Sequence, residues 1–368
     1  EVYILMIDRE YGPLDGRYSA THHEYNLARL KNMPSLAMIK GRHDTGRESE
    51  SQAFIKQIKS DGFTYKRFVD RIDLKKEVSA WLNQVVKEEL GVVPGVGVAE
   101  SAEETIEAAS SFELVQQDEM PLNELDVNTS RFLFSRLYGS ASKRLSISKM
   151  APVFRMRGLV WQDGETGDFY PTAGGVVFLG KNPALRFPQC HVLADAYRQT
   201  KATAKPFAQS GFSAPVPRVI DDLLAFVDKN TLHPTRIVGI NRVELDEYPI
   251  KAVREALVNA FAHRDYEDTS RKIRLEIFKD RLVISSPGYP PKPLTLAKLR
   301  RGRYESCRRN PIIAECMAAF DLMEQRGTGF ERMRAAMQDH GLSDFILEQR
   351  DGYFKVILSG PNGNFERL

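Results

Sequence analysis

Two stretches of the chain carry residue types that can do chemistry, at spacings that let them act together. In Pro249-Ile-Lys-Ala-Val-Arg-Glu-Ala-Leu-Val-Asn-Ala-Phe-Ala-His263, the apolar residues Val253, Ala256, Leu257, Ala260 and Phe261 recur at helical spacing and supply a packing face. Glu255, Asn259 and His263 fall four apart and make a second stripe on the same helix. A carboxylate, an amide and an imidazole stacked in this way form either a solvated face or one wall of a site. The second stretch, Glu324-Gln-Arg-Gly-Thr-Gly-Phe-Glu-Arg-Met333, sets Gly327, Thr328 and Gly329 at the mouth of an amphipathic helix. Free backbone N–H groups and the helix dipole favour a phosphate there, although a simple turn before a capped helix uses the same residues.

The elements that must position these residues follow from the pattern. From Glu1 to about Leu90, strand-like runs such as Val2-Tyr-Ile-Leu-Met-Ile7 and Ser35-Leu-Ala-Met-Ile39 alternate with helical stretches, which is α/β order with buried parallel strands. The chain opens on Glu1 and a strand-like run, so this first domain is expected to lack an N-terminal segment. Residues 95–112, with an acidic, Ala- and Ser-rich composition, read as a linker between a domain at 1–94 and the rest. A middle connecting region, 113–209, is expected to hold helices at 129–137 and 147–156 and a hairpin around Gly164-Glu-Thr-Gly167, a small helix-and-wing unit. Within it, Gly175-Val-Val-Phe-Leu-Gly-Lys-Asn182 nearly spells a phosphate loop. Its bulky apolar centre reads instead as a buried strand, with Lys181 in a turn. Over 210–360 the expected order is helix 219–227, strand 235–243, helix 249–263, strands 272–278 and 281–285, a basic insertion, helix 329–337 and strand 353–358. This is an α+β layer pair with one sheet face covered by helices.

The totals are permissive. A chain of 368 residues, 42% hydrophobic and 27% charged, suits two or three packed cores in a cytoplasmic, multi-domain protein. No apolar run approaches the ~20 residues of a membrane span. Cys190, Cys307 and Cys316 form no Cys-x-x-Cys pair, so neither a zinc site nor a disulfide framework is expected. With a net charge of +3, nucleic-acid affinity would need a local patch.

Taken together, Glu255-Ala-Leu-Val-Asn-Ala-Phe-Ala-His-Arg-Asp-Tyr266, Ser286-Pro-Gly288, Arg309-Asn-Pro311 and Arg326-Gly-Thr-Gly329 resemble the RecG C-terminal-like branch of the GHKL ATPases. Pro171-Thr-Ala-Gly-Gly-Val-Val-Phe-Leu-Gly-Lys-Asn-Pro183 and Phe187-Pro-Gln189 resemble the segment preceding that domain in bacterial proteins labelled transcriptional regulators. The resemblance implies a GHKL-type α/β sandwich binding ATP and Mg2+. Asn259 would hold the metal, and Glu255 would orient or deprotonate the attacking water. Thr328 and the amides of Gly327 and Gly329 would cradle phosphate oxygens, with His263, Ser286, Gly288 and Arg309 as further nucleotide-binding positions. These roles suit the groups: an amide oxygen fits a hard cation, and a carboxylate one turn away can reach a water in line with the terminal phosphate. The Asp that most GHKL proteins place in the first glycine box is absent from Ile284-Ser-Ser-Pro-Gly288, which leaves the base unspecified. With no Walker motif, a helicase motor is not expected. The insertion Lys298-Leu-Arg-Arg-Gly-Arg303 with Arg308 and Arg309 lies where GHKL proteins carry a mobile lid. It would reach phosphates, track a nucleic-acid backbone, or form a solvated loop.

Tyr11-Gly-Pro-Leu-Asp-Gly-Arg-Tyr-Ser-Ala-Thr-His-His-Glu-Tyr25 resembles the domain-of-unknown-function family numbered 4062, a TIR-like α/β fold of bacterial defence and signalling proteins. The resemblance casts Glu24 as the glutamate that stabilises an oxocarbenium-like ribose, with Ser19 nearby. A bland alternative explains the same residues: Ser19 or Thr21 caps the helix, and Thr21-His-His-Glu24 is a capping box. The combined expectation is a homo-oligomeric ATP-binding sensor or effector in antiviral defence, with nucleic acid or a partner defence protein as the candidate partners. A DNA-binding regulator and an NAD or nucleotide glycosidase stand as the alternatives.

Overall fold

The computed structural model describes residues 3–8, 10–15, 18–31, 33–90, 109–138, 145–202, 205–238, 241–302, 304, 307–323 and 327–361. The chain forms two compact units, Glu1–Pro94 and Gly95–Leu368. In the first, β1 (Tyr3–Ile7) is followed by a short ribbon of β2 (Leu14–Asp15) and β3 (Tyr18–Ser19), then α1 (Ala20–Leu30) and β4 (Ser35–Lys40). Next come α2 (Ser49–Ser60), β5 (Thr64–Phe68) and α3 (Arg71–Leu90). Strands β1, β4 and β5 make a parallel sheet in that order. Parallel neighbours require crossovers, and α1 and α2 provide them. The period-2 alternation of β4 splits its apolar run between two cores. Ala37 and Ile39 pack with Leu5, Tyr25, Phe54 and Ile58, whereas Leu36 and Met38 pack with Phe68 and Trp81.

At the start of α1, Ser19 is the N-cap, and its Oγ accepts a hydrogen bond from His22 N at 3.4 Å. The expected Thr21–Glu24 capping box does not form, because both residues already lie within the helix that Ser19 opens.

The second unit begins with α4 (Val127–Tyr138), α5 (Ile147–Arg155) and the antiparallel pair β6 (Val160–Gln162) and β7 (Phe169–Pro171), the helix-and-wing arrangement anticipated from the sequence. The stretch expected as a buried strand is instead helix α6 (Ala173–Leu179), buried at every residue. A short apolar run fits either state, and its context decides. Thr172 Oγ1 accepts from Gly175 N at 3.1 Å and so caps a helix start, and Gly175 lets the helix pass against Leu159 O, where a Cβ would collide. Lys181 lies exposed in the bend beyond it.

There follow β8 (Val192–Ala196), β9 (Ala208–Phe212), α7 (Val216–Asn230), β10 (Thr235–Val238), β11 (Asn241–Glu244) and α8 (Ile250–Ala262). The chain then runs through β12 (Arg274–Ile277), β13 (Arg281–Pro287), α9 (Leu296–Arg301), α10 (Pro311–Ala319), α11 (Gly329–Asp339), β14 (Ile346–Arg350) and β15 (Tyr353–Ser359). The single strand expected over 235–243 folds back on itself as β10 and β11, with Thr235 opposite Glu244. A six-stranded sheet in the order β14-β15-β13-β12-β8-β9 carries the unit. Only β8 and β12 run parallel within it. Helices α7 and α8 lie against this sheet, and α11 packs along α8.

Gly175→Ala should lower stability by about 2 kcal/mol, because α6 has no free side to move into. Thermal unfolding checks this; an unchanged melting temperature would show that the contact with Leu159 relaxes.

Candidate functional site

The two motifs meet across one pocket, between α8 and the sheet. Glu255, Ala256, Asn259, Ala260 and His263 line it from the helix, positions that share a flank at helical spacing. Ala256 and Ala260 are buried, and their single methyl groups hold helix and sheet apart, leaving space that larger side chains would fill. Ile284 and Ser286, two apart on β13, point to the same face, and the register sets Val356 and Phe354 of β15 directly opposite them. These four residues form the floor. The pocket is therefore apolar towards the sheet and polar along α8.

Its polar end is closed by the start of α11. Gly327 and Gly329 line the pocket, and Thr328 is the N-cap of the helix. The Thr328 side chain makes no capping hydrogen bond, so it does not occupy the first-turn amides. Gly329 lies so close to Glu255 Oε1 that a Cβ would collide with it. The two Glu255 oxygens are both engaged: Asn259 Nδ2 donates to Oε1 at 3.2 Å, and Arg332 Nη2 donates to Oε2 at 3.0 Å. The first of these bonds orients the Asn259 amide, leaving its Oδ1 as the free acceptor of the pair. Tyr304, from the basic insertion, donates its hydroxyl to Gly327 O at 3.1 Å and pins the turn.

The other end of α8 is held by groups whose importance was hidden in the motifs. Asn310 is buried, and its Nδ2 donates to Ala262 O at 3.0 Å and Arg264 O at 2.8 Å, satisfying carbonyls the helix leaves open. Arg264 is fully buried, donating to the carbonyls of Asp265, Gln189, Asp268 and Arg271 and lying over the Tyr266 ring. Ser286 Oγ donates to Ala260 O at 2.7 Å and ties β13 to the helix. Arg309, expected at the nucleotide, pairs with Asp265 at 2.9 Å and donates to Tyr289 O at 2.5 Å; its neighbour Arg308 lines the pocket. Gly288 lines it too, its N–H donating to Gly352 O. Burial and the positive charges of Arg309 and Arg308 bring His263 down to about 4, so it presents a neutral imidazole at pH 7.

Glu113 supports the same region from beneath. Its buried carboxylate accepts from Ile313 N at 2.9 Å at the start of α10 and from Ser110 N at 3.1 Å. Burial pushes it up to about 7 despite those donors. In the basic insertion, Arg300 donates to Leu347 O at 2.6 Å, while Arg303 and Arg326 lie outside the described residues. Glu24 belongs to the first unit, exposed on α1, and not to this pocket. Its neighbour Tyr3 is pushed up to about 12 by burial and by the charge and hydrogen bond of Glu24.

Residues 270–358 match the family described as "Putative ATP-dependent DNA helicase recG C-terminal", and residues 1–83 match the family described as "Domain of unknown function (DUF4062)". The chain thus carries a segment similar to each of these two domain families. The first match runs from just before β12 to β15 and takes in the Gly327–Gly329 turn; α8, with Glu255 and Asn259, lies outside it, and the geometry attaches that helix to the site. The crystal structure of the DIP2311 protein from Corynebacterium diphtheriae is similar in fold, with a TM-score of 0.56 at 21% identity. The likeness covers 72% of this chain and 51% of that one, so this chain spans about half the length of that protein. Comparison with curated proteins finds no match. No helix among the described residues is long and apolar enough to cross a membrane.

The Glu113 shift gives a pH prediction. An ordinary carboxyl near 4.5 that rises to about 7 on folding binds its proton more tightly in the native state. Its contribution is therefore greatest below 4.5 and is lost as pH rises to about 7. The melting temperature of the wild type, relative to Glu113→Gln, should fall across that window; a flat difference would rule the shift out.

Proposed function

We propose that the second unit is a nucleotide-binding domain of the ATPase type that takes ATP with Mg2+ in the pocket beneath α8. The observation that carries this reading is the convergence of Glu255 and Asn259 with the Gly327–Gly329 turn, residues more than 60 positions apart brought to one wall. The chemistry fits group by group. Asn259 Oδ1 is the open oxygen of the Glu255–Asn259 pair and suits a hard cation that keeps most of its waters. The mouth of α11 supplies amides and a positive dipole end for phosphate oxygens. Bound magnesium would neutralise phosphate charge, and Glu255 would orient or deprotonate the attacking water where hydrolysis occurs.

The apolar floor of Ile284, Phe354 and Val356 suits a flat base, and Ser286 supplies the polar contact. The Ser286 proton is committed to Ala260 O, so towards a ligand this buried hydroxyl can only accept. An exocyclic amino group, as on adenine, complements it, whereas the carbonyl of guanine does not. Ser286 stands two residues before Gly288 and so offers an acceptor near where the missing Asp would have supplied one.

Nucleotide binding in this domain is read as the signal of a cytoplasmic sensor or effector whose first unit is TIR-like, with antiviral defence as its setting. The DNA-binding alternative gains less support, since Arg300 is committed to a backbone carbonyl within the unit.

Calorimetric titration of the full chain tests the reading. Wild type should bind ATP more tightly with Mg2+ than without, Asn259→Ala should lose about tenfold in affinity and most of the Mg2+ dependence, and Ser286→Ala should narrow the preference for ATP over GTP. Absence of ATP binding by the wild type would sink the proposal. Loss of NAD on incubation, abolished by Glu24→Gln, would move the activity to the first unit.

A further inference from the structure

Arg332 stands in the first turn of α11, the unfavourable end of a helix for a cation, because the N-terminal dipole repels positive charge. Glu255 offsets that repulsion, with Oε2 3.0 Å from the Arg332 guanidinium and Oε1 against Gly329 at the helix mouth. The carboxylate, 12% exposed, thus has one oxygen on the opening residue of α11 and the other on the Arg332 guanidinium. That is the seat an anion takes at a helix N-terminus. Glu255 reaches it from α8, 77 residues earlier in the chain, and Asn259 steadies it there.

Resting on the nucleotide reading above, we propose that Glu255 is the built-in occupant of the terminal-phosphate seat, and that Arg332 is the cation it holds for the phosphate. A terminal phosphate carries about −1.5 to −2 and three acceptor oxygens, whereas the carboxylate carries a single charge. A nucleoside triphosphate therefore displaces Glu255 from Arg332 and the α11 mouth, and a diphosphate, lacking that group, leaves the pair closed. Arg332 is on this account a positioning residue that makes the site prefer triphosphates. Its displacement also gives back the Glu255 oxygen that Arg332 held at the moment a water needs orienting.

Affinities of the full chain for ATP and ADP, each with Mg2+, test the pair through their ratio, which a purely structural role would not move. Arg332→Ala should weaken ATP binding about tenfold while leaving ADP within about twofold, and Arg332→Lys should retain part of the preference. Glu255→Gln, which removes the resident charge, should tighten ATP binding several-fold and ADP binding little. Arg332→Ala weakening both nucleotides equally, or Glu255→Gln weakening ATP, would overturn the inference. Should Arg332→Ala fail to fold, the Lys and Gln variants decide by the same ratio. Wild type binding neither nucleotide would remove the nucleotide reading and this inference together; wild type binding both, with a ratio indifferent to Arg332, would remove the inference alone.

Discussion

The site depends on how α8 is held at its C-terminal end. A helix leaves its last carbonyls without intrahelical partners, and here Asn310 takes that of Ala262, together with that of Arg264 just beyond the helix, with a single amide. The Arg264 guanidinium then gathers four further carbonyls, and the Ser286 hydroxyl takes Ala260 O. Each neutral bond contributes only about 1 kcal/mol net, but leaving such buried carbonyls unpaired would cost more than that. The result is a helix whose height above the sheet is fixed by polar bonds at one end and by alanines along its length. That fixed height is what leaves room for a ligand.

With α8 set, the opposite wall is constrained by size. The start of α11 lies so close to Glu255 that a side chain at 329 would push the carboxylate aside, so the glycine of the Gly-Thr-Gly turn serves packing as well as any ligand. The same closeness joins two elements distant in sequence, and Tyr304 ties the basic insertion to the same turn. Movement of the insertion, of α11 or of Glu255 would therefore be felt by the other two. The pocket is an assembly of three elements that meet at the Gly327–Gly329 turn.

Much of this was legible in the sequence for a physical reason. Helix α8 and the α11 start carry strong amphipathic periodicity and a glycine turn, signals that do not need the rest of the fold, and residues 36–39 carry the unbroken apolar run of a strand covered on both faces. Helix α6 was misread because seven apolar residues satisfy strand and helix alike; only the Thr172 cap and the pass against Leu159 distinguish them. Strands β5, β8, β9 and β14 and helices α9 and α10 were among the elements missed. Val192–Ala196 is short and interrupted by Asp195, and Ala208–Phe212 contains Gly211, so neither shows the β-branched alternation that marks a strand. The ion pair of Glu255 with Arg332 could not be read at all, since periodicity relates neighbours and this contact spans 77 positions.

The balance of charge around the pocket narrows what it can hold. His263 is neutral at pH 7, driven there by burial and by two nearby arginines. Among the described residues, Arg308 and Arg332 bring positive charge to this wall beside the positive end of α11, and Glu255 from α8 and Glu331 in the first turn of α11 bring negative charge. A neutral ligand would leave that arrangement as it stands and gain little from it. A cation alone would have to compete with Arg332 for the carboxylate. An anion that brings its own divalent cation meets neither obstacle, because the metal can take the Asn259 oxygen while the anion takes the helix mouth. Among the described residues, the charges at this wall favour the ligand class proposed above, a metal-bound polyphosphate.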